Sequence, residues 1–180
     1  MTSNCVESAS PTARGPAETI EITSYAEVVL ASSAADALHP AFSNLFVQTE
    51  IIRERQAILC TRRPRSSTST RHGCFISWPC MEQTSETMSY ETDRLRFIGR
   101  GHTVAAPQAM SDSAALSGSE GSVLDPIVAI RCRITLDPEE SATIDMVSGI
   151  GETRDVLPGA GREIPRSTSR RSCLRSGLDP

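Results

Sequence analysis

The sequence has no lysine, few aromatic residues and no long apolar run. All eighteen basic residues are arginine and the net charge is −4. Nucleic-acid-binding proteins use a basic surface to neutralise phosphates, so a protein of this class is not expected. The sequence contains no stretch of eighteen apolar residues, so no membrane span is predicted. Its first residues do not resemble a signal peptide. We therefore expect a cytoplasmic protein.

Paired cysteine spacing is also missing. The six cysteines form no C-x-x-C motif and lie at positions 5, 60, 74, 80, 132 and 173. Without a secretion signal, free thiols are the expected state. The stretch "RHGCFISWPC" offers His72, Cys74 and Cys80 as zinc ligands, but a structural zinc site normally has four ligands at recognisable spacing. We predict no metal and no cofactor. A small cysteine-containing regulatory or metal-binding protein is the alternative interpretation.

What the sequence does contain is a series of β-strand patterns. The β-branched stretch "TIEITSYAEVVLA" begins at Thr19, and two further strands are predicted over residues 44–52 and 56–63, joined by "RER". Between the first and second, Pro40 indicates a loop or a brief helical turn. No long stretch has helical periodicity. The pattern therefore predicts an all-β fold, a partial antiparallel β-sandwich.

The clearest strand pattern is "IVAIRCRITL", residues 127–136. Its alternation predicts one buried face made of Val128, Ile130, Cys132, Ile134 and Leu136. Arg131, Arg133 and Thr135 are expected on the opposite face. The turn "DPEES" followed by "ATIDMVSGI" predicts an antiparallel hairpin.

Three segments lack these patterns. Residues 66–81 have no period, and fifteen of the twenty-five residues from 156 to 180 are Pro, Gly, Arg or Ser. Residues 1–17 are also poor in apolar pattern. We predict a disordered N-terminal segment (1–17), a sandwich domain (18–155) and a disordered tail (156–180).

The ordered segments resemble a known family. The strings "EITSYAEVVLASSAADALHPAFSNLFVQTE", "TRRPRS", "YETDRLRFIGRG" and "GSVLDPIVAIRCRITLDPEESATIDMVSGIGETRD" are similar to the β-supersandwich domain of glycoside hydrolase family 94, in the version of bacterial cyclic β-1,2-glucan synthases. In that family the sandwich precedes an (α/α) barrel with the catalytic acid, within a large protein of the inner membrane. The resemblance implies a sandwich fragment with no catalytic residue of its own, and a possible partner in a separately encoded barrel.

The resemblance is interrupted at residues 66–81, and a change of reading frame explains the interruption. Codons compatible with residues 71–80, read one frame away, spell the apolar string "SWLLHLMAV", which resembles a Trp- and His-containing strand of the family. Codons compatible with parts of the tail, read one frame away, also spell peptides that resemble the family. We therefore predict that residues 66–81 and the tail are out of frame and that the chain is a gene remnant.

One in-frame segment is a candidate binding site. In "DRLRFIGRG", residues 93–101, the glycines permit close backbone approach, Phe97 offers a face for a sugar ring, and Arg96 and Arg100 offer donors. The resemblance implies that this segment lies toward the sugar-binding side, so glucan or oligosaccharide is the expected ligand. A plain turn is the alternative.

Other polar residues have ordinary structural interpretations. The arginines of "TRRPRS" could bind an anion, but a solvated strand end is the better interpretation. Glu139 and Glu140 lie in a predicted turn and do not resemble a general acid and base pair. His39 and His102 have no visible catalytic partner.

Overall fold

The structure is a computed structural model that describes residues 3–9, 16–64, 73–80, 85–111, 113–138 and 140–151. The eight strands are β1 (Ser3–Ala9), β2 (Glu18–Glu27), β3 (Val47–Ile52), β4 (Ala57–Arg62), β5 (Gly73–Cys80), β6 (Ser85–Asp93), β7 (Pro126–Leu136) and β8 (Ala142–Gly151). The short α-helices are α1 (Ser33–Leu38), α2 (Pro40–Asn44) and α3 (Arg94–Ile98), and single 3-10 turns span Arg53–Arg55 and Gln108–Met110.

The strands form two antiparallel sheets. The larger sheet has the order β1-β8-β5-β4-β3, and the smaller has the order β2-β7-β6. The main apolar core draws on both sheets, with Val47, Ile58 and Cys60 from the larger and Val128 and Ile130 from the smaller. The predicted all-β sandwich class is confirmed.

Strand β7 buries one face along its length and the other face from Ile127 to Arg131. The predicted apolar face is confirmed, since all five of its residues are at most 3% exposed and belong to the main core. On the other face, Ile127 and Ala129 pack in a second cluster with Phe97 and Ile98. Arg131 lies on this opposite face, as predicted, but is only 4% exposed.

The predicted hairpin between β7 and β8 is wrong. β7 pairs with β2 and β6, whereas β8 pairs with β1 and β5 in the other sheet. The connection after Leu136 therefore crosses from one sheet to the other. Alternation specifies which face of a strand is buried but not which strand lies beside it. Ile144 of β8 meets the same core as Ile130 of β7, so the pattern fits both arrangements.

Residues 66–81, which lack a periodic pattern, contain a central strand of the larger sheet. β5 lies between β4 and β8, and Phe75 is 3% exposed. The ring of Phe75 covers Gly149 on β8, where an added Cβ would lie 2.6 Å from its Cε1. Two neighbouring strands supply hydrogen-bond partners for the backbone, which a search for side-chain periodicity does not detect. The missing periodic pattern in residues 66–81 therefore did not mean a missing strand at residues 73–80, and the hypothesis that this segment is out of frame stays a prediction.

The N-terminal segment also differs from its prediction. Residues 3–9, within the segment expected to be disordered, form β1 at the edge of the larger sheet through antiparallel pairing with β8. An edge strand adds through main-chain hydrogen bonds and needs no strong side-chain pattern. The predicted tail, residues 156–180, lies outside the described residues.

The brief helical turn predicted around Pro40 is present as α1 and α2. The Ser32 hydroxyl caps α1 by accepting a hydrogen bond from the Ala35 backbone N–H at 3.3 Å. Pro40 begins α2, where its missing N–H costs no helical hydrogen bond.

Candidate carbohydrate-binding site

The candidate segment folds as one helical turn followed by a glycine turn. The Asp93 carboxylate accepts a hydrogen bond from the Leu95 backbone N–H at 2.9 Å and caps α3. Gly99 ends the helix at φ +84°, and a Cβ there would lie 2.3 Å from Oε1 of Gln108. Gly101 follows at φ +81°. Glycine is therefore needed at position 99 for its backbone angle and for its small volume.

The helical turn separates the three predicted site residues. Arg96 and Arg100 are exposed, and Arg96 lies 4.0 Å from the Asp93 carboxylate. Phe97 is only 3% exposed, and its ring packs on Tyr25 with centroids 5.1 Å apart. Successive residues of a helix point about 100° apart, so the arginine and the phenylalanine beside it face different surroundings. The expectation that Phe97 presents an open face for a sugar is thus not met.

An open groove of about 520 Å³ lies above Phe97. Its lining comes from β2, α3 and the loop after α3 and consists of Thr23, Tyr25, Phe97, Val104, Ala105, Ala106, Pro107, Met110 and Ser111. Val104 and Met110 are 51% and 54% exposed and provide its apolar outer surface. Sequence reasoning missed these two residues because they lie in a stretch without periodic pattern.

Tyr25 adds a polar group to this groove. Its hydroxyl donates to Oε1 of Glu27 at 3.1 Å, and Arg94 Nε donates to the same oxygen at 3.0 Å. Burial raises the pKa of Tyr25 above its ordinary value. The phenol therefore stays protonated at neutral pH and serves as a hydrogen-bonding group rather than as a base.

Arg131 anchors the loop that forms one side of the groove. Its Nη1 donates to the carbonyl oxygen of Ala114 at 2.8 Å, its Nη2 donates to that of Ala109, and its Nε donates to Thr23 Oγ1 at 3.0 Å. On the same face, Arg133 Nη2 donates to the Ser113 carbonyl oxygen at 2.8 Å. The two guanidinium groups thus hold residues 109 and 113–114 over the outer face of the smaller sheet. The sequence signal that could have indicated this anchor is an arginine within an otherwise apolar strand.

A buried carboxylate holds the next part of the loop. Glu91 is 1% exposed, and its Oε1 accepts hydrogen bonds from the backbone N–H groups of Thr92 and Asp93, each at 2.9 Å. Its Oε2 accepts a hydrogen bond from the Ser117 hydroxyl. These hydrogen bonds offset the cost of removing the carboxylate from water. Sequence reasoning did not single out Glu91.

The arginines of "TRRPRS" have a structural role where they are described. Arg62 Nη1 donates to the Ser43 carbonyl oxygen and Arg63 Nη2 donates to that of Leu45, each at 2.9 Å. Cations commonly stabilise the unpaired carbonyls at a helix C-terminus, here that of α2. Arg65 lies outside the described residues.

The remaining candidates occupy turns. Glu140 Oε2 accepts a hydrogen bond from the Asp137 backbone N–H at 2.9 Å, while Glu139 lies outside the described residues. His102 Nδ1 lies 3.2 Å from the Ala106 carbonyl oxygen. His39 is exposed between α1 and α2. The contacts of Glu140 and His102 stabilise their turns.

The proposed zinc ligands are only partly described. Cys74 lies opposite Cys60 in the larger sheet, whereas His72 and the side chain of Cys80 lie outside the described part of the chain. Among the described residues, no group of three or more His, Cys, Asp or Glu side chains is placed to hold a metal ion. Within the same residues, no helix has the length and apolar character needed to cross a membrane.

Comparison with known proteins agrees with the sequence resemblance. Residues 13–160 match the family model described as "Glycosyl hydrolase 94, supersandwich domain". The chain is 42% identical over 112 residues to the cyclic beta-(1,2)-glucan synthase NdvB of Rhizobium meliloti (strain 1021). That alignment covers 62% of this chain and 4% of the relative, so the chain spans only a small part of the relative's length. The family assignment made from the sequence is confirmed.

Proposed function

Because the chain belongs to the glycosyl hydrolase 94 supersandwich domain family, we propose that it is a non-catalytic, carbohydrate-associated sandwich of the cyclic β-1,2-glucan synthase type. Its role is to contact β-1,2-linked glucan weakly at the surface around α3. The observation that supports this role is the open groove above Phe97, beside a helix with exposed Arg96 and Arg100.

The groove offers the two kinds of contact that a sugar needs. Sugar rings have apolar C–H faces, for which the exposed side chains of Val104 and Met110 are suitable partners. Their hydroxyl groups need donors and acceptors, for which Tyr25 in the groove lining is one partner, and the exposed guanidinium group of Arg96, outside the lining but on the helical turn that supplies Phe97, is the proposed second. Because an open site encloses little of its ligand, the expected dissociation constant is about 1 mM, or about −4 kcal/mol.

Titration with β-1,2-linked gluco-oligosaccharides tests this role. Calorimetry on the wild type should give weak, saturable binding, and Met110→Ala should weaken it by roughly three- to tenfold through lost apolar contact. The matched control is Ile150→Ala, because Ile150 is 65% exposed on the larger sheet and does not line the groove. Its affinity should equal that of the wild type.

A set of arginine variants separates charge from shape. Replacing Arg96 and Arg100 by Gln exchanges two exposed guanidinium groups for neutral amides and leaves the apolar lining in place. Binding of the β-1,2-linked gluco-oligosaccharide should weaken. A cellulose-type β-1,4 oligosaccharide, titrated in parallel, is the control for linkage. No saturable binding of any β-1,2 oligosaccharide by a folded wild-type chain would overturn the carbohydrate role.

The proposal includes a partner and a location. A catalytic barrel encoded separately would supply the chemistry, and the chain would meet it in the cytoplasm at the inner membrane. Co-purification of the tagged chain with a family 94 barrel tests this part. Failure to co-purify at micromolar concentrations would contradict the partnership without bearing on sugar binding.

The gene-remnant hypothesis is a separate part of the proposal. It rests on the family-like peptides that compatible codons spell one frame away from residues 71–80 and from parts of the tail. The nucleotide sequence tests it directly, since those peptides must be encoded there in an alternative frame. Their absence from both alternative frames would remove the hypothesis, and the role of the sandwich would be unaffected.

A further inference from the structure

Cys60 and Cys74 are directly opposite each other on neighbouring antiparallel strands. Cys60 of β4 is the register partner of Cys74 of β5, and both are free thiols. Opposite Cα atoms in antiparallel sheets lie about 4.5–5.5 Å apart, which is within the range of about 4.4–6.8 Å found across disulfides. We propose that Cys60 and Cys74 form a redox-modification site, a dithiol that a small disulfide reagent of the glutathione class converts into an intramolecular disulfide.

The two thiols have different surroundings. Cys60 is 0% exposed in the main core, whereas Cys74 is partly exposed at the beginning of β5. The hydrogen bond from Cys60 to Cys74 lowers the pKa of Cys74, and the same hydrogen bond, together with burial, raises the pKa of Cys60. Cys74 is therefore both the more accessible thiol and the better nucleophile.

The reaction proceeds by two exchanges. The Cys74 thiolate attacks one sulfur of the reagent, whose S–S bond breaks and releases one reagent thiol. Cys60 then loses its proton to solvent, and its sulfur attacks the Cys74 sulfur and expels the second reagent thiol. Two protein S–H groups become one S–S bond, and the reagent disulfide is reduced to two thiols.

Cys132 provides the internal contrast. It is also 0% exposed in the main core, and burial raises its pKa to about 11. Its register partners on the two neighbouring strands are Ile22 and Met88, so no thiol lies opposite it. The cross-strand pair should therefore react while Cys132 remains a thiol.

The bond would also be readily reversed. Cβ atoms of directly opposite residues lie about 4.5–5.5 Å apart, which is longer than the distance of about 3.5–4.5 Å that a relaxed disulfide prefers. Closing the bond therefore draws β4 and β5 together, and strained disulfides are among the more easily reduced. The formed bond would tie the β3–β4 hairpin to the centre of the larger sheet.

Non-reducing peptide mapping tests the site. The full chain is prepared with Cys5, Cys80 and Cys173 changed to Ser, incubated with oxidised glutathione, and compared by mass spectrometry with a sample kept in reduced glutathione. The expected product is one cross-linked peptide pair joining residues 60 and 74, with loss of two hydrogen atoms and reversal by reduced glutathione. The oxidised form should melt higher by on the order of 5 °C.

Single variants identify the order of the steps. Cys60→Ser should leave a glutathione adduct at Cys74, Cys74→Ser should give neither adduct nor cross-link, and Cys132→Ala should cross-link like its parent. An adduct at Cys74 without a cross-link in the parent, an unmodified parent, or a cross-link that contains Cys132 would overturn the proposal. Mapping of the parent decides the question even if a core variant fails to fold.

Discussion

The hydroxyl groups of Thr49 and Thr92 lie 2.7 Å apart and form a buried hydrogen bond between the two sheets. Thr49 belongs to β3 of the larger sheet and Thr92 to β6 of the smaller. The Thr92 hydroxyl also donates to the Ser119 carbonyl oxygen at 2.8 Å and the Thr49 hydroxyl to that of Gly121 at 3.3 Å, and either hydroxyl can be the donor between the sheets. The pair therefore fixes the contact between the sheets and the loop after the groove.

Replacing Thr92 by Val tests this contact. The variant keeps the shape of the side chain but leaves the Ser119 carbonyl oxygen without its donor, at a cost of about 1–3 kcal/mol in unfolding free energy. Urea denaturation measures the loss. Thr135→Val is the control, since Thr135 makes an exposed hydrogen bond with Thr19 and should change stability by about 0.5 kcal/mol or less. Equal losses in both variants would contradict the role of the buried pair.

Arg131→Met should destabilise the protein and loosen the groove. It removes the donors to the carbonyl oxygens of Ala109 and Ala114 from a side chain that is 4% exposed. The expected cost is about 2–4 kcal/mol, with faster amide hydrogen exchange in residues 108–116. Arg133→Met is a graded comparison rather than a neutral control, because it removes one loop contact, to the Ser113 carbonyl oxygen, and a partly exposed ion pair with Glu21 that should contribute about 1 kcal/mol or less. Unchanged exchange in the Arg131 variant would show that the loop holds itself in place.

The sequence predicts strand faces well and strand partners poorly. Alternation in β7 correctly identified its buried face, because the period of two follows from backbone geometry. The partner of β8 could not be identified, since Ile144 is buried equally well beside β7 or across the sandwich from it. β5 was missed for a related reason. Its neighbours supply backbone hydrogen bonds, and among residues 73–76, whose side chains are described, Phe75 is the one that is buried.

The fold separates the three candidate site residues in a way that the sequence did not indicate. Arg96 and Arg100 are exposed as expected, while Phe97 turns inward because α3 packs on Ile127 and Ala129. A single helical turn is too short to show a periodic pattern, so the sequence did not indicate which way the ring faces. The pattern of β7 assigned Arg131 to the face opposite the apolar one. It did not show that a loop covers this residue, because the loop is distant in sequence from the predicted strand.

Phe97→Ala should act mainly on stability. The ring is 3% exposed and packs on Tyr25, so its removal leaves a cavity at a cost of about 3–5 kcal/mol. Leu95→Ala is the control on the same helical turn, since Leu95 is 64% exposed and should change the unfolding free energy by about 0.5 kcal/mol or less. Chemical denaturation of both variants measures the difference. A Phe97 variant of wild-type stability that binds gluco-oligosaccharides less tightly would restore Phe97 as a direct sugar contact.

Cys132 should make stability depend on pH in the alkaline range. Burial raises its pKa to about 11 from the ordinary value of 9.0. Between these values the unfolded chain releases the thiol proton while the folded chain retains it, so folding stability from this group is complete below about pH 9 and falls as the pH rises toward 11. Cys132→Val removes the titrating group and keeps an apolar side chain of similar size. Denaturation of both proteins at about pH 8 and pH 10.5 measures the effect of the Cys132 thiol together with its charge interaction with Tyr90, while Tyr25 titrates in both. The wild type should lose stability relative to the variant as the pH rises, and a difference that does not change with pH would show that the thiol is accessible to water in the folded state.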